Sequence, residues 1–166
     1  MLAQKSISKT IYFHLIAIFI VMLNIFNIEI AGFARVIPLF DVMMIFYFTV
    51  FLPVFGLWFI FLLGIWADAL NGNPLGMTSL IYIFLIKFFT ILNQKMVIRD
   101  EFRQLWQQFV IFCACFLFLK WSFLSLFNGA IYSLITIFVQ LILSAVFYVI
   151  MHKFFDFLNR KLIEER

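Results

Sequence analysis

Among the side chains that could do chemistry inside long apolar runs, Asp41, Asp68, Lys87, Lys120, His14, Asn24, Asn27, Cys113 and Cys115 stand out. Counted along a helix axis at 1.5 Å per residue, Asp41 and Lys120 lie about 7 and 10 Å from the ends of their runs. Asp68, near the end of another run, is also within reach of a long lysine. The spacing therefore pairs Lys120 with Asp41 or Asp68, the alternative being that Lys120 snorkels to the nearer headgroups. Lys87, about 9 Å from the opposite end of its run, snorkels to the other side. His14, Asn24 and Asn27 suit interhelical hydrogen bonds better than metal or substrate ligation. Cys113 and Cys115 are two positions apart, so on a helix they face different directions and read as small packing residues. No catalytic set, metal site or cofactor site emerges. Paired-aspartate motifs, a serine–histidine elbow and a phosphate-cradling glycine loop are all missing from the sequence.

The elements that must position these groups follow from composition. Of the 166 residues 66% are apolar or aromatic, 26 of them Phe, and only 12% are charged, against roughly half apolar and a quarter charged in a soluble domain. A domain of this size buries only about 70% of its unfolded surface, so in water it would expose an apolar exterior that soluble monomers do not tolerate. Disorder and a disulfide scaffold are excluded on the same composition. The chain reads as an integral membrane protein.

A transmembrane helix needs about 20 mostly apolar residues. Six runs are predicted: 11–28, 36–52, 54–70, 75–93, 107–127 and 130–151. They lack the alternation of barrel strands and read as helices. Pro38 is placed just inside the second span and Pro53 between the second and third. In Asn71-Gly72-Asn73-Pro74-Leu75-Gly76 the Asn-Gly pair supplies a turn, Asn73 a cap for the next helix and Pro74 its first position. Asn128-Gly129 makes a short connection that forces spans five and six antiparallel.

Basic residues set the orientation. Lys5 and Lys9 precede span one, Lys95, Arg99 and Arg103 lie between spans four and five, and Lys153, Arg160, Lys161 and Arg166 follow span six, whereas Arg35 lies on the opposite side. Both termini are therefore expected on the cytoplasmic side, as an even number of crossings requires. The net charge of +4 is a topology signal and an attraction to anionic lipid, and carries no argument for nucleic acid. The N-terminal run exceeds the 7–15 apolar residues of a signal core, so it is kept as span one rather than read as cleaved at Gly32-Phe33-Ala34. Two further segments are amphipathic. Ile98, Phe102, Leu105 and Phe109 share a face opposite Lys95, Arg99, Asp100 and Arg103, and Phe155, Leu158 and Leu162 share one opposite Lys161 and Glu165. Both read as surface helices lying against lipid or a cytoplasmic partner.

The stretch Gly64-Ile65-Trp66-Ala67-Asp68-Ala69-Leu70-Asn71-Gly72-Asn73-Pro74-Leu75-Gly76 resembles the signature of the MreD family of rod shape-determining membrane proteins. In that family the third span ends in G-x-x-x-D-x-x-x-G-x-x-L-G, and here Gly64, Asp68, Gly72, Leu75 and Gly76 occupy those positions. Pro38 and Asp41 opening span two, Trp106 before span five and a short basic tail extend the likeness over the chain. The resemblance implies an all-α integral membrane fold of six transmembrane helices, similar to the substrate-binding component of energy-coupling-factor transporters. It also implies a non-catalytic scaffold of the bacterial inner membrane without cofactor. Its partners would be an MreC-like protein, through it an MreB-like filament, and a peptidoglycan polymerase and transpeptidase. Without the family name, Gly64 and Asp68 share one helical face and small residues permit close helix approach. Asp68 either caps the start of span four or contacts a partner. The rival reading is a small-molecule transporter or ligand-binding membrane component, with His14, Asn24, Asp41, Asp68 and Lys120 around a polar cavity.

Overall fold

The computed structural model describes residues 2–23, 37–51, 55–93, 102–129 and 133–163, with side chains for 10–23, 37–51, 55–91, 102–129 and 133–161. The described residues hold six helices and no strand: α1 (Leu2–Leu23), α2 (Phe40–Phe51), α3 (Leu57–Asn71), α4 (Met77–Asn93), α5 (Phe102–Asn128) and α6 (Leu134–Ile163). The expected six-helix, all-α order is present. Two of the helices, α5 and α6, are long and apolar enough to cross a membrane, and the apolar stretches of the other four are shorter.

Several boundaries differ from the sequence expectation. Pro38 lies ahead of α2 rather than inside it. The chain turns there, with the Phe40 N–H donating to the Pro38 carbonyl at 2.9 Å, and the helix starts where full backbone donors resume. Pro74 likewise sits in a turn, its carbonyl accepting from Met77 N–H at 3.2 Å, so it does not open α4 and Asn73 does not cap it. α5 starts at Phe102 instead of residue 107, which absorbs the second half of one amphipathic segment. The expected break after Met151 is missing too: α6 runs on to Ile163, so the tail segment is one helix with the last span. Asn24, Asn27, Arg35, Pro53, Lys95, Ile98, Arg99, Asp100, Glu165 and Arg166 lie outside the described residues.

α2 is the centre of the packing. Its 12 residues span about 18 Å, well short of a roughly 30 Å hydrocarbon core, and Asp41 through Phe48 are all buried. More than two full turns without an exposed face require neighbours on every side, and α1, α4, α5 and α6 supply them. Phe46 is the hub, with ring centroids 5.5, 5.3 and 5.9 Å from Phe109, Phe112 and Tyr148. Phe109 and Tyr148 stack at 3.9 Å and join α5 to α6.

α6 is polar inward and apolar outward. Ile135, Phe138, Ile142, Val146 and Ile150 are exposed at helical spacing, whereas Ser144, Tyr148 and His152 are buried. That is the reverse of a helix on the surface of a water-soluble protein and suits a lipid-facing wall.

The tightest contact joins α3 and α4. A Cβ built on Gly64 would stand 2.5 Å from the Cα and 2.6 Å from the backbone nitrogen of Ser79, so only glycine lets the two backbones approach this closely. The Ser79 hydroxyl closes the contact by donating to the Phe61 carbonyl at 2.7 Å.

Candidate functional site

The buried charges gather where α2 and α4 begin. Asp68, near the end of α3, is fully buried and accepts from the Thr78 backbone N–H at 3.0 Å and from the Thr78 hydroxyl. Thr78 is the second residue of α4, so the carboxylate satisfies one of the free N–H groups of a helix N-terminus and meets its positive dipole end. The turn between them is fixed by Gly72, whose φ of +66° ends α3 in the left-handed conformation that glycine adopts without steric cost. The Asp68 carbonyl accepts from Asn73 N–H at 3.0 Å and from Gly72 N–H. Asp68 thus ties the end of one helix and the start of the next through its backbone and its side chain together. Leu75 is exposed and Gly76, at φ +91°, precedes the first residue of α4. The five signature positions and Pro74 form one joint, and Asp68 is its cap. The Asn73 amide nitrogen is enclosed there without an acceptor.

Asp41 lies in the first turn of α2 and is held by the Tyr82 hydroxyl and by the Val42 N–H at 2.9 Å. Tyr82 stacks on Phe116 at 5.3 Å, and the Lys120 ammonium lies 5.9 Å from the centroid of the Phe116 ring. Lys120 is thus linked to Asp41 through two aromatic rings in place of the expected direct pair, and Asp41 and Asp68 are the carboxylates whose fields act on it. Both already have hydroxyl and amide donors, and each sits at a helix N-terminus that offsets part of its charge. A cleft of about 320 Å³ between α5 and α6 opens beside Lys120, with Trp121, Ser133, Thr136 and Gln140 among its walls.

His14 joins α1 to α3 by ring contact and not by the expected interhelical hydrogen bond. Its Nδ1 donates to the Thr10 carbonyl of its own helix at 2.6 Å, and its ring lies 4.1 Å from that of Phe59. Cys113 is buried and Cys115 partly so, both as free thiols. Lys87 is exposed at a second cleft, at the other end of the bundle. Among the described residues no group of three His, Cys, Asp or Glu is placed to hold a metal ion.

The sequence reading missed a polar row on α6. Gln140, Ser144, Tyr148, His152 and Asp156 recur every four residues, one ridge of the helix surface. The Gln140 amide donates to the Ile37 carbonyl at 3.1 Å, the Ser144 hydroxyl accepts from Leu39 N–H at 3.1 Å, and Asp156 accepts from the Tyr47 hydroxyl at 2.6 Å. Between them, Tyr148 and His152 pack on the rings of Phe46 and Tyr47. His152 Nε2 lies 3.4 Å from Asp156. The row holds α2 and the bend before it against α6. From the α5 side, the Trp106 indole donates to the Ala145 carbonyl at 3.0 Å. The four-residue interval was visible in the sequence, and its significance depended on knowing that α2 lies opposite.

Comparisons with protein-family models, with curated proteins and with solved structures find no match.

Proposed function

We propose that this chain is a non-catalytic membrane scaffold, a helical bundle that holds partner proteins at the bilayer. The observation that carries the reading is the joint from Gly64 to Gly76, whose spacing resembles the MreD signature and whose residues form a rigid, capped link between α3 and α4. On this reading all six helices belong to a membrane domain with both termini on the cytoplasmic side of a bacterial inner membrane. An MreC-like protein docks on it, with an MreB-like filament and a peptidoglycan polymerase and transpeptidase joined indirectly. The polar groups support this reading: Asp41, Asp68, Gln140, Ser144 and Asp156 are all engaged in fixing helices to one another.

One observation favours a second reading. The cleft beside Lys120 combines apolar walls with a cation, two hydroxyls and an amide, the composition of a site for a small amphipathic molecule.

Detergent pull-down separates the two. The scaffold reading expects co-purification of an MreC-like protein that is lost in Leu75→Glu, at the exposed position of the joint, while the variant still elutes as a folded monodisperse species. Retention of a small metabolite with no protein partner overturns it.

A further inference from the structure

We propose that the cleft around Lys87 holds one anionic glycerophospholipid, its phosphate against the Lys87 ammonium and an acyl chain along the apolar walls. The cleft has a volume of about 580 Å³ and lies between the end of α2, the start of α3 and the last turns of α4, with Phe48, Phe55 and Ile60 among its walls. Its cause is the shortness of α2. That helix stops at Phe51, while α6, level with it where Phe155 meets Phe48 at 5.8 Å, runs on to Ile163. Eight residues of α6 follow that level against three of α2, so α6 extends about 8 Å farther. Among the described residues the bundle is recessed on this side, and on the membrane reading a recess at the level of the headgroups is filled by lipid.

Charge selects the kind of lipid. Among the described residues, Lys87 is the cation of the cleft and no carboxylate lines it. The acidic side chains described, Asp41, Asp68 and Asp156, are bound elsewhere by Tyr82, Thr78 and Tyr47. Lys87 precedes the end of α4 by six residues, about 9 Å, within reach of the phosphate level for a lysine that extends along apolar surface. Thr49 and Thr90 also line the cleft. Their hydroxyls donate to the Ile45 and Ile86 carbonyls, each at 2.7 Å, which leaves their lone pairs to accept from a headgroup hydroxyl. Phosphatidylglycerol has both the anionic phosphate and the hydroxyl donors that this arrangement takes.

The inference rests on the membrane reading of the chain and is independent of any protein partner, since the test uses the purified chain alone. The full chain, released from mixed micelles containing equal phosphatidylglycerol and phosphatidylcholine, is analysed by native mass spectrometry. One retained phospholipid is expected, with phosphatidylglycerol favoured about fivefold, the effect of one lysine near a headgroup. Lys87→Gln should bring that ratio close to one, Lys87→Arg should keep it, and Lys153→Gln, on the exposed face of α6, should leave it as in the wild type. Leu57→Trp, at a partly exposed wall of the cleft, should expel the lipid whatever its headgroup. An unchanged ratio in Lys87→Gln overturns the proposal, as does lipid retained in Leu57→Trp. Displacement of the lipid by glycerol 3-phosphate would assign the site to a soluble phosphate and overturn it equally.

Discussion

Two residues carry more of the α3–α4 joint than their size suggests. At Gly64 the neighbour of an added Cβ is backbone, which cannot rotate away. Gly64→Ala should therefore force the helices apart and destabilise the protein by about 1–3 kcal/mol, read as a lower midpoint of thermal unfolding in detergent. Asp68→Ala removes the remote cap of α4 and should cost about 1–2 kcal/mol. Thr78→Ala should lose less, because the Thr78 backbone N–H still reaches the carboxylate. A cycle of Asp68→Ala and Thr78→Ala measured in the same unfolding assay should show coupling, since the two residues share a hydrogen bond; strict additivity would contradict the geometry. Capping by Asp68 was legible in the sequence because it is local: a carboxylate, a turn and a helix start follow within ten residues. The arrangement around Lys120 was not. Reach along a helix axis told which carboxylates it could approach, but not that Tyr82 and Thr78 would take them first, a fact of tertiary contact.

At the scale of the element, α6 shows how a helix can be specified by a row rather than a face. Its hydrogen bonds to Ile37, Leu39 and Tyr47 join residues more than a hundred positions apart, so they fix which neighbour α6 takes and in which register. Ser144→Ala should cost about 0.6 kcal/mol, the average for interhelical hydrogen bonds in membranes, and leave Leu39 N–H unpaired. Tyr47→Phe should cost a similar amount through loss of the bond to Asp156. Shifting the row by one residue, through insertion of an alanine after Ile142, should be far more damaging than either, because Ser144, Tyr148, His152 and Asp156 then rotate away from α2 together; loss of the monodisperse peak in size-exclusion chromatography reads this. The six helices themselves were legible from apolar runs and turn residues. Their ends were less so, because Phe102 to Trp106 and the residues after Met151 carry charge yet continue their helices, held by contacts such as the Trp106 indole on Ala145 and Phe155 on Tyr47.

At the scale of the whole molecule, the sidedness of the bundle is the expectation most open to experiment. The distribution of basic residues in the sequence leads one to expect Lys5 and Lys153 on one side and Asn73 on the other. With Cys113 and Cys115 changed to alanine, single cysteines at these positions should divide accordingly. An impermeant maleimide applied to intact spheroplasts should label Asn73→Cys, and label Lys5→Cys and Lys153→Cys only after lysis. Labelling of all three before lysis would contradict two cytoplasmic termini. The exposed apolar face of α6 and its buried polar row are the physical ground for expecting such a division at all.

The enclosed position of α2 sets an order on biosynthesis. Its flanking backbone groups at Ile37 and Leu39 find their partners on α6, which leaves the ribosome about a hundred residues after them. A nascent chain must therefore hold a short, aspartate-bearing segment in waiting while α3, α4 and α5 are made, and it closes only when α6 arrives. Chains truncated before Leu134 should persist as open, protease-sensitive intermediates, and membrane chaperones that shield polar helices should be retained on them longest. α6 is the latch of this bundle, and its arrival marks the moment at which quality control can release α2.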